Sequence, residues 1–154
     1  MLLPHLSPVV IDGIDCIDGT VVIAAHPRAR GSRCRRCGRV STRVHTARYR
    51  RQLADLPVAG RPVVVRLAIR RFFCDHVDCS AGTFVEQVPE LTERHARRSV
   101  GLKGALVAVG LALAGRAGSR LAATLGMAVS RSTLLRLDPG VAGSAGRSGE
   151  SAWC

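Results

Sequence analysis

Two short cysteine pairs, Cys34-Arg-Arg-Cys37 and Cys74-Asp-His-Val-Asp-Cys79, supply the kind of donors that a tetrahedral zinc ion takes. Each spacing is short enough to wrap one turn of chain around a metal. The 36 residues between the pairs leave room for a β-hairpin whose two ends meet at the ion. Buried or unpaired thiols are the plain alternative, and disulfides are a weaker one. The start, Met1 to Pro8, has no basic n-region, and Pro4 and His5 interrupt its apolar residues, so no export signal is legible. A cytoplasmic, thiol-reducing setting is therefore expected, and it favours zinc over disulfides. His76 lies inside the second pair and competes as a ligand, but the C-x-x-C half already sets a thiolate-rich site, so Cys34, Cys37, Cys74 and Cys79 are the expected set. His45 and His95 fall outside the ligand spacings and read as surface or strand histidines.

Charge gives the second chemical signal. The chain has 154 residues, only 3% of them aromatic, and a formal net charge of +12; all its basic residues except Lys103 are arginine. A core poor in large side chains gains from a metal staple. Between Arg28 and Arg71 fourteen arginines face a single acid, Asp55. Density of one sign costs self-repulsion unless a polyanion relieves it, and the planar guanidinium fork fits phosphate and guanine edges. A GC-rich genome would explain the preference for Arg over Lys but not the clustering.

The elements that position these groups make an α+β chain. Three parts are expected: a β-hairpin and zinc-binding module over 1–90, a helical region over 91–138 and a disordered tail over 139–154. Residues 8–26 read as a hairpin turning at Asp18-Gly19, with Cys16 a small core residue inside it. Val44 to Leu53 and Val63 to Phe73 read as strands joined by a Pro57–Pro62 loop. In the second strand Val63, Val65, Leu67 and Ile69 share one face while Arg66 and Arg70 leave the other; Arg48 and Arg50 alternate out of the first strand. These four arginines form a ribbon suited to tracking phosphates.

Beyond Pro89 the pattern turns helical. Thr92 is expected to cap a helix on which Leu102, Leu106, Val109 and Leu113 recur, and Gly115 and Gly118 are expected to break it. The apolar run Val100 to Ala114 contains Lys103 and three glycines and is too short to span about 30 Å of hydrocarbon. Ser119 then caps Arg120 to Leu125, Gly126 ends that helix, and Ser130 caps Arg131 to Leu137 before Pro139. Two short helices around a glycine-led turn suggest a helix-turn-helix. In it Ala122 allows close approach, Leu121, Leu125, Leu134 and Leu135 pack the pair, and Arg131, Ser132, Thr133 and Arg136 face a groove. Gly140 to Cys154 is glycine-rich without an apolar period, and Cys154 there is not expected to be structural.

The run CRRCGRVSTRVHTARYRRQLADLPVAGRPVVVRLAIRRFFCDHVDC, followed by FVEQVPELTERHARRS and SRLAATLGMAVSRSTLLRL, resembles the N-terminal region of bacterial insertion-sequence transposases of the ISL-three family over about residues 8–137. The resemblance implies a zinc-binding domain and a helix-turn-helix that together recognise the element's terminal inverted repeats. In the family a ribonuclease-H-like domain with three metal-holding acids follows. Past Leu137 the sequence departs from that pattern. The acids after the zinc module are Glu86, Glu90, Glu93, Asp138 and Glu150, with no alternating strands to organise a two-metal site, so a truncated transposase without catalytic residues is expected.

The expected partner is double-stranded DNA, with self-association or association with intact transposase beside it. No membrane is expected, and the setting is the bacterial cytoplasm at the nucleoid. Two other function classes compete. One is a zinc-held protein-interaction or regulatory module. The other is a thiol redox enzyme using Cys34-Arg-Arg-Cys37, which leaves the second cysteine pair unexplained.

Overall fold

The computed structural model describes residues 4–113 and 115–137, with the backbone alone for Ala47 and Arg48. The chain divides into two compact units, Met1–Leu102 and Lys103–Cys154. The first therefore runs past Pro89, where the sequence changes character, and the expected tail lies outside the described residues.

The first unit is built on hairpins. Strand β1 (Val9–Ile17) returns as β2 (Thr20–Pro27) through Asp18 and Gly19, at φ 48° and 76°. This is the paired left-handed turn that suits the twist of two-residue hairpins. Strand β5 (Val44–Val58) likewise returns as β6 (Arg61–Phe73) through Ala59 and Gly60 alone, at φ 50° and 72°. The expected Pro57–Pro62 loop is thus mostly strand: Pro57 and Pro62 lie inside the strand ends, where the ladder is already irregular between Asp55 and Val58. The sheet order is β1-β2-β6-β5, with β7 (Thr83–Val85) on the far end of β6. Strands β2 and β6 run parallel, Val21 opposite Val63 through Ala25 opposite Leu67; the other pairs of this sheet are antiparallel.

Strand β6 serves two cores. Its odd positions Val63, Val65, Leu67 and Ile69 are at most 2% exposed and pack with Ile23, Leu53 and Leu91 in the aliphatic core. Phe72, on the opposite parity, packs instead with Cys34 and Phe84. Because side chains alternate across a strand, the second core lies on the other face of the same ribbon. Cys16 belongs to neither core. It sits exposed near the turn end of the edge strand β1, beside exposed Ile14 and Ile17, with its Sγ 3.6 Å from Arg61 Nη1.

Asp55, 4% exposed, fastens the unit's ends. It accepts from Ser99 Oγ at 2.5 Å and meets His5 Nε2 at 2.8 Å, while Ser99 Oγ also accepts from the Leu102 amide at 3.1 Å. Ser99 is therefore the N-cap of α1 (Val100–Leu113). Thr92, expected in that role, is buried in the preceding turn, where its hydroxyl accepts from the Val88 amide.

In the second unit, α2 (Gly115–Thr124) and α3 (Arg131–Leu137) pack together. Gly118 does not break α2. It is buried within the helix, and a Cβ there would stand 2.8 Å from Leu134 Cδ2, so the missing side chain admits α3. Ser119 is also inside the helix and donates to the Arg116 carbonyl. At the C-terminus Met127 N–H bonds Ala122 O at 2.8 Å and Gly126 N–H bonds Ala123 O at 3.0 Å, with Gly126 at φ 81°. That is the paired closure a left-handed glycine permits. Ser130 Oγ accepts from the Thr133 amide and caps α3. Leu134 and Ala122 are fully buried, but Leu121 and Leu125 are about 40% exposed and do not pack the pair as expected. Among the described residues no helix is long and apolar enough to cross a membrane.

Candidate metal centre and cationic surface

The first cysteine pair sits on a small ladder of its own. Strands β3 (Ser32–Arg33) and β4 (Val40–Ser41) pair Ser32 with Ser41 and Arg33 with Val40, leaving residues 34–39 as the tip. The Cys34 amide bonds Arg39 O and the Gly38 amide bonds Cys34 O, both at 2.8 Å. Gly38, at φ 72°, supplies the left-handed step that turns the chain back under the thiols. The second pair lies between β6 and β7, closed by Cys74 N–H to Gly82 O at 2.8 Å and Cys79 N–H to His76 O at 3.0 Å. The β5–β6 hairpin joins the two knuckles, as the spacing predicts.

All four sulfurs lie within 4.8 Å of one another, with Cys34–Cys79 at 3.8 Å and Cys37–Cys74 at 3.6 Å. Zinc–sulfur bonds of about 2.3 Å place the sulfurs of a tetrahedron about 3.8 Å apart, so the cage fits the ion. The thiols alone are electrostatically uneven. The Cys37 amide, with help from the Arg36 amide, draws the Cys34 thiol down to about 6 against the effect of burial. The His76 amide favours the Cys74 thiolate, but burial and hydrogen bonds with the other three thiols push Cys74 up to about 12. Four thiolates this close require a cation, which zinc supplies.

Neighbouring groups join the knuckles. Arg36 Nη1 donates to Ser80 Oγ at 2.6 Å; Arg43 Nη1 and Ser41 Oγ donate to the Asp75 carboxylate at 2.9 and 3.2 Å; and the Arg43 guanidinium lies 4.5 Å over the Phe73 ring. His76 stands beside the cage with a buried Nδ1 that has no hydrogen-bond partner, but the four sulfurs complete the tetrahedron without it. His45 is exposed and edge-on to Phe73, and His95 is exposed in a turn. The two-cysteine redox reading gives no role to Cys74 and Cys79, whose sulfurs share one cluster with those of Cys34 and Cys37.

This is a four-cysteine zinc ribbon, and its cysteines bind zinc. Residues 30–79 match the family model described as the zinc-finger of transposase IS204/IS1001/IS1096/IS1165, so the ribbon is of the kind found in the N-terminal region of insertion-sequence transposases. No curated protein and no solved structure matches the chain.

The arginines around the ribbon divide by what holds them. Arg70, expected on the phosphate-facing ribbon, is committed internally. Its Nε and Nη2 donate to the two oxygens of buried Glu86 at 3.0 and 2.6 Å, its Nη2 reaches Ala29 O, and it lies 5.0 Å over the Phe72 ring. Arg50 and Arg66 are exposed, and their side chains make no hydrogen bond or ion pair to a described residue. They share a sheet face, since Gln52 lies opposite Arg66 and Arg50 opposite Ala68. The side chain of Arg48 lies outside the described residues. On α3, Arg131, Ser132 and Arg136 are exposed and Thr133 is half-buried; the Ser132 and Thr133 hydroxyls lie 3.1 and 2.9 Å from the capping Ser130 Oγ. Reading the sequence missed Glu86 and Asp75. Both are acids beside an arginine only in the folded chain, and no spacing advertises them.

Proposed function

We propose that this chain binds double-stranded DNA as the end-recognition part of a transposase, holding the element's terminal inverted repeats. The match of residues 30–79 to a transposase zinc-finger, around a cage of zinc geometry, carries this reading. In it zinc is structural, the exposed face bearing Arg50 and Arg66, with Arg48, holds phosphates, and α2 and α3 act as a helix-turn-helix whose Arg131, Ser132, Thr133 and Arg136 face the major groove. Arg70 is left out because Glu86 neutralises it. The close packing of Leu134 against Gly118 and the capped turn between the helices support the helical half of the reading. The role assigned to these residues is binding, with strand cleavage outside it.

The test is fluorescence anisotropy of the zinc-loaded chain on a duplex carrying the inverted repeats that flank its gene, against a scrambled duplex of equal length. Binding should favour the repeats, and Arg136→Ala should cut that preference by roughly 1–3 kcal/mol if the contact to a base is bidentate. Equal affinity for both duplexes in the unaltered chain would overturn sequence recognition.

A further inference from the structure

Arg94-His95-Ala96-Arg97-Arg98 places four basic side chains in five positions, and nothing above gives them a role. The fold treats this segment with care. It runs along the outer edge of β5: the Ala54 amide bonds Arg97 O, the Ser99 amide bonds Ala54 O, both at 2.9 Å, and Ala54 and Arg98 form a parallel bridge. Half-buried Arg51 holds the turn from the β5 side, donating to the carbonyls of Glu93 and Ala96, the latter at 2.6 Å. His95 is fixed at φ 58°. The backbone is thus pinned at both ends, while the side chains of Arg94, Arg97 and Arg98 make no hydrogen bond or ion pair to a described residue, and Arg94, His95 and Arg97 are exposed.

Register then says where Arg98 lies. Bridged partners share a sheet face, and Ala54 has the parity of Arg50 and Gln52. Arg98 therefore stands on the same face as Arg50 and Arg66. Each of the three has a small cross-strand neighbour on this face, Ala68 opposite Arg50, Ala24 opposite Arg66 and Ala54 opposite Arg98, which leaves it open to a rod-like polyanion.

We propose that the Arg94–Arg98 turn is a second phosphate-binding element, continuing the arginine face of the sheet along the sugar-phosphate backbone of DNA. This rests on the DNA-binding reading and adds to it a binding element independent of base sequence. Nucleic acid is favoured over an acidic protein because the free side chains are guanidiniums, whose fork fits phosphate, and because Arg50 and Arg66 stand exposed on an open sheet face rather than ringing a pocket.

The experiment measures binding of the full zinc-loaded chain to the repeat-bearing and scrambled duplexes across about 50–200 mM salt. Replacing Arg94, Arg97 and Arg98 together by glutamine should make the slope of log affinity against log salt shallower by about 0.9 for each phosphate no longer neutralised, and weaken both duplexes by the same factor. The triple lysine variant should keep the wild-type slope, because the charge remains; a shallower slope in that variant too would assign the turn a structural role instead. The Arg94→Gln, Arg97→Gln pair, both exposed, keeps the test decisive if changing Arg98 disturbs β5. An unchanged slope in a folded, zinc-replete glutamine variant overturns the proposal while leaving DNA binding intact. Binding of the unaltered chain to neither duplex would remove the DNA reading and this inference with it.

Discussion

The two cores along β6 are stabilised by different physics. Around Val65 and Leu67 the strand is buried among branched aliphatic side chains of β2, β5 and the segment after β7, and burial itself is the stabilising term. A few residues further on, Phe72 has only Phe84 and Cys34 as buried companions, with three other cysteines and Ala81 at the margin. That end buries too little to hold two knuckles unaided. Metal coordination replaces area where area runs out, so one ribbon has a metal-independent end and a metal-dependent one.

Removing zinc should separate the two ends most severely. Structural zinc contributes on the order of 10 kcal/mol or more to small sites. Cys37→Ser should lose the metal and lose amide-exchange protection over residues 32–41 and 74–84, while protection at Val63–Ile69 persists; loss of protection throughout the sheet would show the two ends to be one cooperative unit. Leu67→Ala should do the reverse, costing about 2–5 kcal/mol in denaturant unfolding with a full equivalent of zinc retained. Smaller still is Glu86→Gln, which weakens the charged hydrogen bonds to Arg70 and should cost roughly 1.5–3 kcal/mol, since the half-buried guanidinium loses its countercharge. Ser99→Ala, which removes the α1 cap and a hydroxyl bonded to Asp55, should cost about 0.5–2 kcal/mol and leave zinc affinity untouched.

The metal-dependent end was the more legible of the two. Cysteine spacing is a local signal, and the ligands Cys34, Cys37, Cys74 and Cys79 come together as the spacing predicts. The first hairpin was legible for a similar reason, because Asp18-Gly19 dictates its own turn, and the alternation from Val63 to Ile69 marks the buried face. What escaped depends on partners distant in sequence. Ser99 caps α1 in place of Thr92 because Asp55, on another strand, fixes the serine hydroxyl. Arg70 is tied down rather than free because Glu86 waits on the chain after β7. Gly118 continues a helix because packing against Leu134 outweighs its poor propensity. Propensity and periodicity do not contain those facts.

The parallel seam between β2 and β6 sets an order of events for a chain emerging from a ribosome. Strand β2 is finished early, but its neighbour in the sheet follows only after the first knuckle and all of β5. Until β6 arrives, the inner edge of β2 stays unpaired and the Cys34–Cys37 thiols have half a cage. Sheet closure and completion of the metal site therefore wait on the same stretch of synthesis. Both vulnerabilities, an unpaired edge and two reactive thiols, begin to close when β6 and the cysteines that follow it become available.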